Sequence, residues 1–159
     1  MIYFFYVIFI TLLVICDQFV KNLVVLNIPL GKEIVLIDNF FSLTYVRNYG
    51  AGFSILQNEK TFLSICSIVA IIGLSYLLIT TKKKDTFSIV SYLLIISGAI
   101  GNLIDRIRLG YVVDFLDFLI FGYDYPVFNI ADSFITIGCF LLIIKVIMEN
   151  RNARNKAES

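Results

Sequence analysis

The feature that most constrains this chain is the length of its charge-free runs. Residues 61–81 are 21 consecutive uncharged, mostly apolar residues, and residues 86–104 are 19 more. About 20 apolar residues in a helix cover the hydrocarbon of a bilayer. Residues 1–16 are also uncharged, and that run continues past Asp17 to about Leu26. A last run, Pro126 to Met148, is interrupted by Asp132 and Lys145 alone. Hydrophobic residues make up 59% of the 159-residue chain and charged ones 16%, against about 45–50% and 25% in soluble domains. A soluble body of this size cannot hide that much apolar surface. The reading is an all-α membrane protein, one polytopic domain with four transmembrane helices at about 3–26, 61–81, 86–105 and 126–148. The first run lacks a basic leading region and a small-residue cleavage site, so it reads as a retained span rather than a signal peptide.

Four spans put both termini on one side. Lys82, Lys83 and Lys84 lie between spans two and three, and Arg151, Arg154 and Lys156 follow span four. Basic residues close to span ends favour the cytoplasm, so the expectation is N-in and C-in. Segments 27–60 and 106–125 then face outward, and the polar tail 150–159 is expected to fray. Within the first outer segment, Ile34–Ile37 and Phe40–Val46 are rich in β-branched and aromatic residues and are bounded by Pro29, Gly31 and Asp38-Asn39. That pattern predicts a small β structure resting on the outer membrane surface. Residues 53–62 read as an interfacial helix.

What is missing excludes much chemistry. With no His, Ser/His and Cys/His hydrolases and HExxH metalloproteases are out. Cys16, Cys66 and Cys139 fit no metal spacing and read as small core hydrophobes. A net charge of +1 does not suit a nucleic-acid binder.

Polar residues gather toward one end of the predicted bundle. Asp17 and Lys21 lie near the outward end of span one. Arg47 and Asn48 precede the small run Gly50-Ala51-Gly52. Asn102, Asp105 and Arg106 end span three, Asp114 and Asp117 follow, and Asn129 and Asp132 open span four. Charges in hydrocarbon are costly and tend to face one another or a wet cavity. Polar interhelical bonding is the plainer account of any single residue; for the whole set a site is the better one. The pattern Asn-x-x-Asp occurs at Asn102–Asp105 and at Asn129–Asp132, and on a helix each Asn can stand beside its Asp. Asn129 or Asp132 could equally cap span four.

Without His, the available general acids and bases are carboxylates. Two of them close together cannot both ionise easily, so they share a proton; one activates water while the other protonates a leaving group. Spacing alone leaves open which two of Asp17, Asp105, Asp114, Asp117 and Asp132 form such a pair.

Four blocks carry a family likeness: Asp17-Gln18-Phe19-Val20-Lys21; residues 47–54, Arg-Asn-Tyr-Gly-Ala-Gly-Phe-Ser; residues 101–106, Gly-Asn-Leu-Ile-Asp-Arg, leading to Val112-Val113-Asp114-Phe115; and residues 128–133, Phe-Asn-Ile-Ala-Asp-Ser. In order and over nearly the whole chain, they resemble the bacterial lipoprotein signal peptidases, or type II signal peptidases, which are polytopic aspartic proteases. One departure is Gly52, where the family more often has Ala. The resemblance implies that Asp114 and Asp132 are the catalytic pair. It implies support or substrate-binding roles for Asp17, Lys21, Asn48, Gly50, Asn102, Asp105, Arg106, Asn129 and Ala131, with Asp105 structural. Asp117 reads as a solvated loop acid. The implied substrate is a prolipoprotein whose cysteine carries a diacylglyceryl group, cut just before that cysteine in the bacterial cell membrane. No metal or organic cofactor and no nucleic acid are implied; the partners are substrate and membrane lipid, and the chain is expected to act as a monomer. Two rivals are a proton-coupled carrier, which would need polar residues through the full membrane depth, and an assembly subunit, whose acids would tolerate Asn.

Overall fold

In hydrocarbon a helix satisfies its own backbone groups, and each of the four apolar runs carries a long helix. The computed structural model describes residues 1–50, 56–82 and 85–157. Helix α1 spans Ile2–Asn27, α2 Lys60–Thr80, α3 Thr86–Arg108 and α4 Ile130–Ala157. All four are long and apolar enough to cross a membrane. Residues 51–55, which carry part of the small-residue run and of the expected interfacial helix, lie outside the described residues, as do Lys83 and Lys84. Of the remainder of that expected helix, residues 56–59 form a turn and Lys60 already starts α2.

Helix α3 is the hub. More than half of its apolar stretch is buried inside the protein, whereas α1, α2 and α4 are mostly exposed along theirs. The other helices turn large apolar side chains outward, among them Phe4, Phe5, Leu12 and Phe19 of α1. Helix α1 is inside out relative to a soluble helix: Asp17, Lys21 and Val24, spaced i, i+4, i+7, form its buried stripe. The three cysteines correct the sequence reading. Cys16, Cys66 and Cys139 are exposed on this outward surface, not in a core. An apolar run in a membrane span has a lipid face as well as a protein face, and the run alone does not separate them.

Helices α3 and α4 pack backbone to backbone. A Cβ on Gly98 would collide with the Ala131 carbonyl oxygen, and one on Gly138 would lie 2.8 Å from the Ser91 carbonyl oxygen. Small residues permit this approach. It draws the start of α4 against the end of α3, where the polar residues lie. At the far end of α3, Asp85 accepts a bond from the Ser88 backbone N–H and pairs with Lys145 of α4 at 2.8 Å.

The sheet has four antiparallel strands in the order β1-β2-β3-β4: β1 Glu33–Ile37, β2 Phe41–Asn48, β3 Val112–Ile120 and β4 Tyr123–Phe128. The sequence reading foresaw strands at β1 and β2 and left 106–125 without secondary structure. In fact α3 runs to Arg108, Gly110 takes a left-handed φ of +84° that ends it, and β3 follows. Residues 126–128, read as the start of span four, belong to β4. A short apolar run does not by itself distinguish strand from helix, and Pro126 is tolerated because β4 is an edge strand. The tail is helical to Ala157 rather than frayed. Val24 and Ile28 at the end of α1 pack with Tyr45, Val113 and Phe115, which fastens the sheet to the helix ends.

Candidate active site

Alternation along β3 sets the first element of the site. Val113 and Phe115 point into the apolar cluster against α1, so Asp114 between them points the other way. It is 2% exposed. Its Oδ2 accepts a bond from Asn48 Nδ2 at 2.8 Å, and its Oδ1 accepts one from Asn129 Nδ2 at 2.7 Å. Burial, and after it the charge of Asp132, push the Asp114 carboxyl up to about 7, against the pull of those two amide bonds.

Helix α4 begins with a reciprocal cap. Asn129 Oδ1 accepts from the Asp132 backbone N–H at 2.9 Å, and Asp132 Oδ2 accepts from the Asn129 backbone N–H at 3.2 Å. Asp132 therefore sits in the first turn, where the helix dipole favours an anion. Its Oδ1 accepts from Asn102 Nδ2 at 2.7 Å. Asn129 and Asn102 join the two carboxyls: Asn129 Nδ2 donates to Asp114 and also to Asn102 Oδ1, at 3.1 Å.

Behind this lies a charged layer. Lys21 Nζ is 3.0 Å from Asp17 Oδ2, 3.0 Å from Asp105 Oδ2 and 3.0 Å from Asn102 Oδ1. An ammonium has three N–H donors and accepts nothing, so all three are used. Asp17 Oδ1 accepts from the Ala131 backbone N–H at 3.0 Å, and Asp105 Oδ2 accepts from the Val113 backbone N–H at 3.1 Å. These two bonds tie α1 to the start of α4 and α3 to β3, next to Asp132 and Asp114 respectively. Gly101 leaves room for it: a Cβ there would lie 2.6 Å from Asp17 Oδ2 and 3.2 Å from Ala131 Cβ. Arg106 donates to the Gly50 carbonyl at 3.1 Å, and the Gly50 N–H donates to Asn48 Oδ1 at 2.9 Å.

All eleven residues nominated from the sequence thus fall in one connected network at the sheet end of the bundle. Gln18 was missed. It donates to Asp17, to the Gly101 carbonyl and to Asp105. Its signal was its place between Asp17 and Lys21 in a largely apolar helix. Asp117 is not a free loop acid: it lies in β3 and accepts from Thr44 Oγ1 at 2.6 Å. Arg47 stands apart, stacked 4.8 Å from the Tyr111 ring and donating to Tyr45 Oη at 3.2 Å. Among the described residues, no group of three or more Cys, Asp or Glu side chains is placed to hold a metal ion.

Known proteins resemble this chain in sequence and in fold. A sequence profile of signal peptidase (SPase) II matches residues 9–148. The chain is 48% identical over 130 residues to a lipoprotein signal peptidase of Streptococcus thermophilus, covering 80% of this chain and 82% of that one. It is 42% identical over 143 residues to a lipoprotein signal peptidase of Staphylococcus aureus, covering 90% and 88%. A bacterial membrane enzyme solved by the in meso method at 2.3 Å superposes with a TM-score of 0.86 at 38% identity, covering 92% of this chain and 90% of the other. A second, solved at 1.9 Å, gives 0.81 at 40% identity, covering 89% and 91%. With the profile spanning most of its length and relatives this similar, the chain belongs to the signal peptidase II family of peptidases.

Proposed function

We propose that this chain cleaves the signal peptide from diacylglyceryl-modified prolipoproteins just before the lipid-modified cysteine, with Asp114 and Asp132 as an aspartic dyad and water as the nucleophile. The observation that carries the reading is the pair itself. Two carboxyls from different elements are bridged by Asn129 and Asn102 in a chain without His. The bonds described to them come from N–H groups, which give protons to a carboxylate but take none from it. A proton held by the dyad therefore faces water, substrate or the other carboxyl. A carboxyl raised to about 7 is suited to share one proton with a neighbour at neutral pH.

In the resting state the pair holds one proton. The ionised member takes a proton from a water between them as its oxygen bonds to the scissile carbonyl carbon. The protonated member supports the oxyanion. The C–N bond then breaks, the amine of the modified cysteine leaves with the proton it receives, and the signal peptide keeps a carboxylate. The pair titrates as a unit, so the proton belongs to both. Asp17, Lys21, Asn102, Asp105 and Asn129 orient the dyad. Asn48, Gly50 and Arg106 line its approach, and the lipid-facing surface between helices receives the acyl chains.

The test is cleavage in detergent by the purified chain of a precursor carrying the diacylglyceryl group, beside the same precursor without it. Release of the signal peptide from the modified precursor alone is expected; equal cleavage of both, or of neither, defeats the proposal.

The same reading places the sheet end outside the cytoplasm, with both termini inside and the chain acting as a monomer. The basic Lys82 and Arg151 at the other end support that orientation. In whole cells, a cysteine replacing Asp38 is expected to react with an impermeant maleimide and one replacing Lys82 to stay protected. The opposite pattern inverts the orientation.

A further inference from the structure

Outside the site, the largest feature without a role is the far rim of the sheet. The register places both hairpin turns at one end: Phe41 pairs with Phe118, Ile120 with Tyr123, and the Leu119 N–H donates to the Phe40 carbonyl at 2.9 Å. That rim is apolar and uncovered. All five residues of β1 are exposed, four of them Ile, Val or Leu, and Ile37, Phe40, Ile120 and Tyr123 lie around the turns. Phe121 at the tip of the β3–β4 turn is fully exposed and holds a φ of +50°.

Both properties of Phe121 run against local preference. Two-residue hairpin turns with positive φ favour Asn, Asp or Gly. The three-residue β1–β2 loop, 38–40, meets the same demand with Asn39 at +56°. A bulky aromatic in that conformation is an outlier, and strained positions point to a use elsewhere. An edge strand of consecutive exposed apolar residues would also invite aggregation in water. Neither arrangement suits an aqueous surface.

Exposed apolar residues lead from the end of α1 along Ile34–Ile37 of β1 toward this rim. Leu23 and Leu26 at the end of α1 and Leu30 beyond it are exposed apolar residues. Strand β1 begins at Glu33, six residues after Asn27 (33 − 27), so the root of the sheet, the end opposite the turns, lies within about 20 Å of a helix end. The tyrosines of β4, Tyr123 and Tyr125, are the residue type that settles at a membrane interface. Asp38 and Asp124 flank the tips and would limit them to a shallow depth.

We propose that this rim, with Phe121 at its point, inserts into the interfacial region of the bilayer and anchors the sheet to membrane lipid. The anchor fixes the tilt of the sheet, and with it the depth at which β3 presents Asp114. It does not depend on the peptidase reading.

The chain has no tryptophan, so Phe121→Trp gives one reporter at the tip. The full chain is reconstituted into phosphatidylcholine vesicles whose acyl chains carry bromine at shallow or deep positions. Blue-shifted emission is expected, quenched at least twofold more by shallow bromines than by deep ones. Tyr123→Trp, which avoids the positive-φ position, is expected to behave likewise and guards against a fault peculiar to Phe121. Solvent-like emission insensitive to bromolipid in both variants overturns the proposal. So does blue-shifted emission that ignores bromine and follows the protein-to-lipid ratio, which would assign the rim to a second copy of the chain.

Discussion

Asp114→Asn and Asp132→Asn chains are each expected to insert and fold yet cleave a diacylglyceryl-modified precursor at least about 10^3-fold more slowly than the native chain. An amide keeps the size and some of the hydrogen bonds of a carboxyl but neither takes nor gives the proton that the reaction moves. The double variant is expected to be no slower than the worse single one, because members of one catalytic unit are not additive. Near-native cleavage by either single variant removes the dyad assignment.

Stability separates this loss from simple unfolding, and its sign follows from burial. Asp114 titrates at about 7 in the folded chain and near 3.9 when unfolded. The folded state therefore binds the proton more tightly, and the native chain gains stability as pH falls through about 7 toward 4. Above 7 the buried charge is a cost. The Asp114→Asn chain lacks that charge, although its amide can accept only one of the two N–H bonds now made by Asn48 and Asn129. Its melting temperature is expected to fall less than that of the native chain between pH 6 and pH 8. A fall as steep as the native one would place the titrating group elsewhere.

Membrane solvent explains which parts of this molecule were legible in its sequence. Runs such as 61–81 have one answer in hydrocarbon, so the helices were readable. The convergence of the acids was readable because every span avoids charge except where it meets a partner. The two Asn-x-x-Asp patterns mattered in different ways. Asn129 and Asp132 form a helix cap, and Asn129 also donates to Asp114, so the capping reading holds and does not exclude the site reading. Asn102 turns its amide to Asp132 rather than to Asp105, and Asp105 turns to Lys21 and Val113. The i, i+3 rule gives proximity on a helix, but tertiary neighbours choose the bonds. Gln18 and Asp105 lie 87 residues apart, a contact that no local spacing encodes. Strands β3 and β4 were hidden because residues 115–128 are apolar enough to pass for the approach to a span. The cysteines misled for the same reason: hydrophobicity reports avoidance of water, and here lipid serves as well as a core.

Lys21→Met is the substitution that asks most of the layer behind the dyad. Asp17 and Asp105 are 0% and 2% exposed, and without the ammonium both face each other unneutralised. Removing one partner of a buried ion pair costs about 3–5 kcal/mol, so the melting temperature is expected to fall by about 10 °C or more. The effect on the reaction has another origin. Lys21 can only donate, so it holds Asn102 Oδ1 toward itself and Asn102 Nδ2 toward Asp132. Its charge also favours the ionised form of the pair, in a layer whose other charged groups are Asp17, Asp105 and Arg106. Without it, kcat at pH 7 is expected to fall about 10- to 100-fold and the activity profile to move up by about one pH unit. Lys21→Arg is not expected to restore either, because a planar fork does not meet three acceptors placed around a compact ammonium. The double variant Lys21→Met/Asp17→Asn removes one stranded carboxylate. It is expected to regain much of the lost melting temperature and, because the net charge of the layer is restored, to move the profile part of the way back, while kcat stays low because nothing holds Asn102 Oδ1. If the double variant regains native kcat and the native profile, Lys21 is a brace for Asp17 alone and has no hold on the dyad.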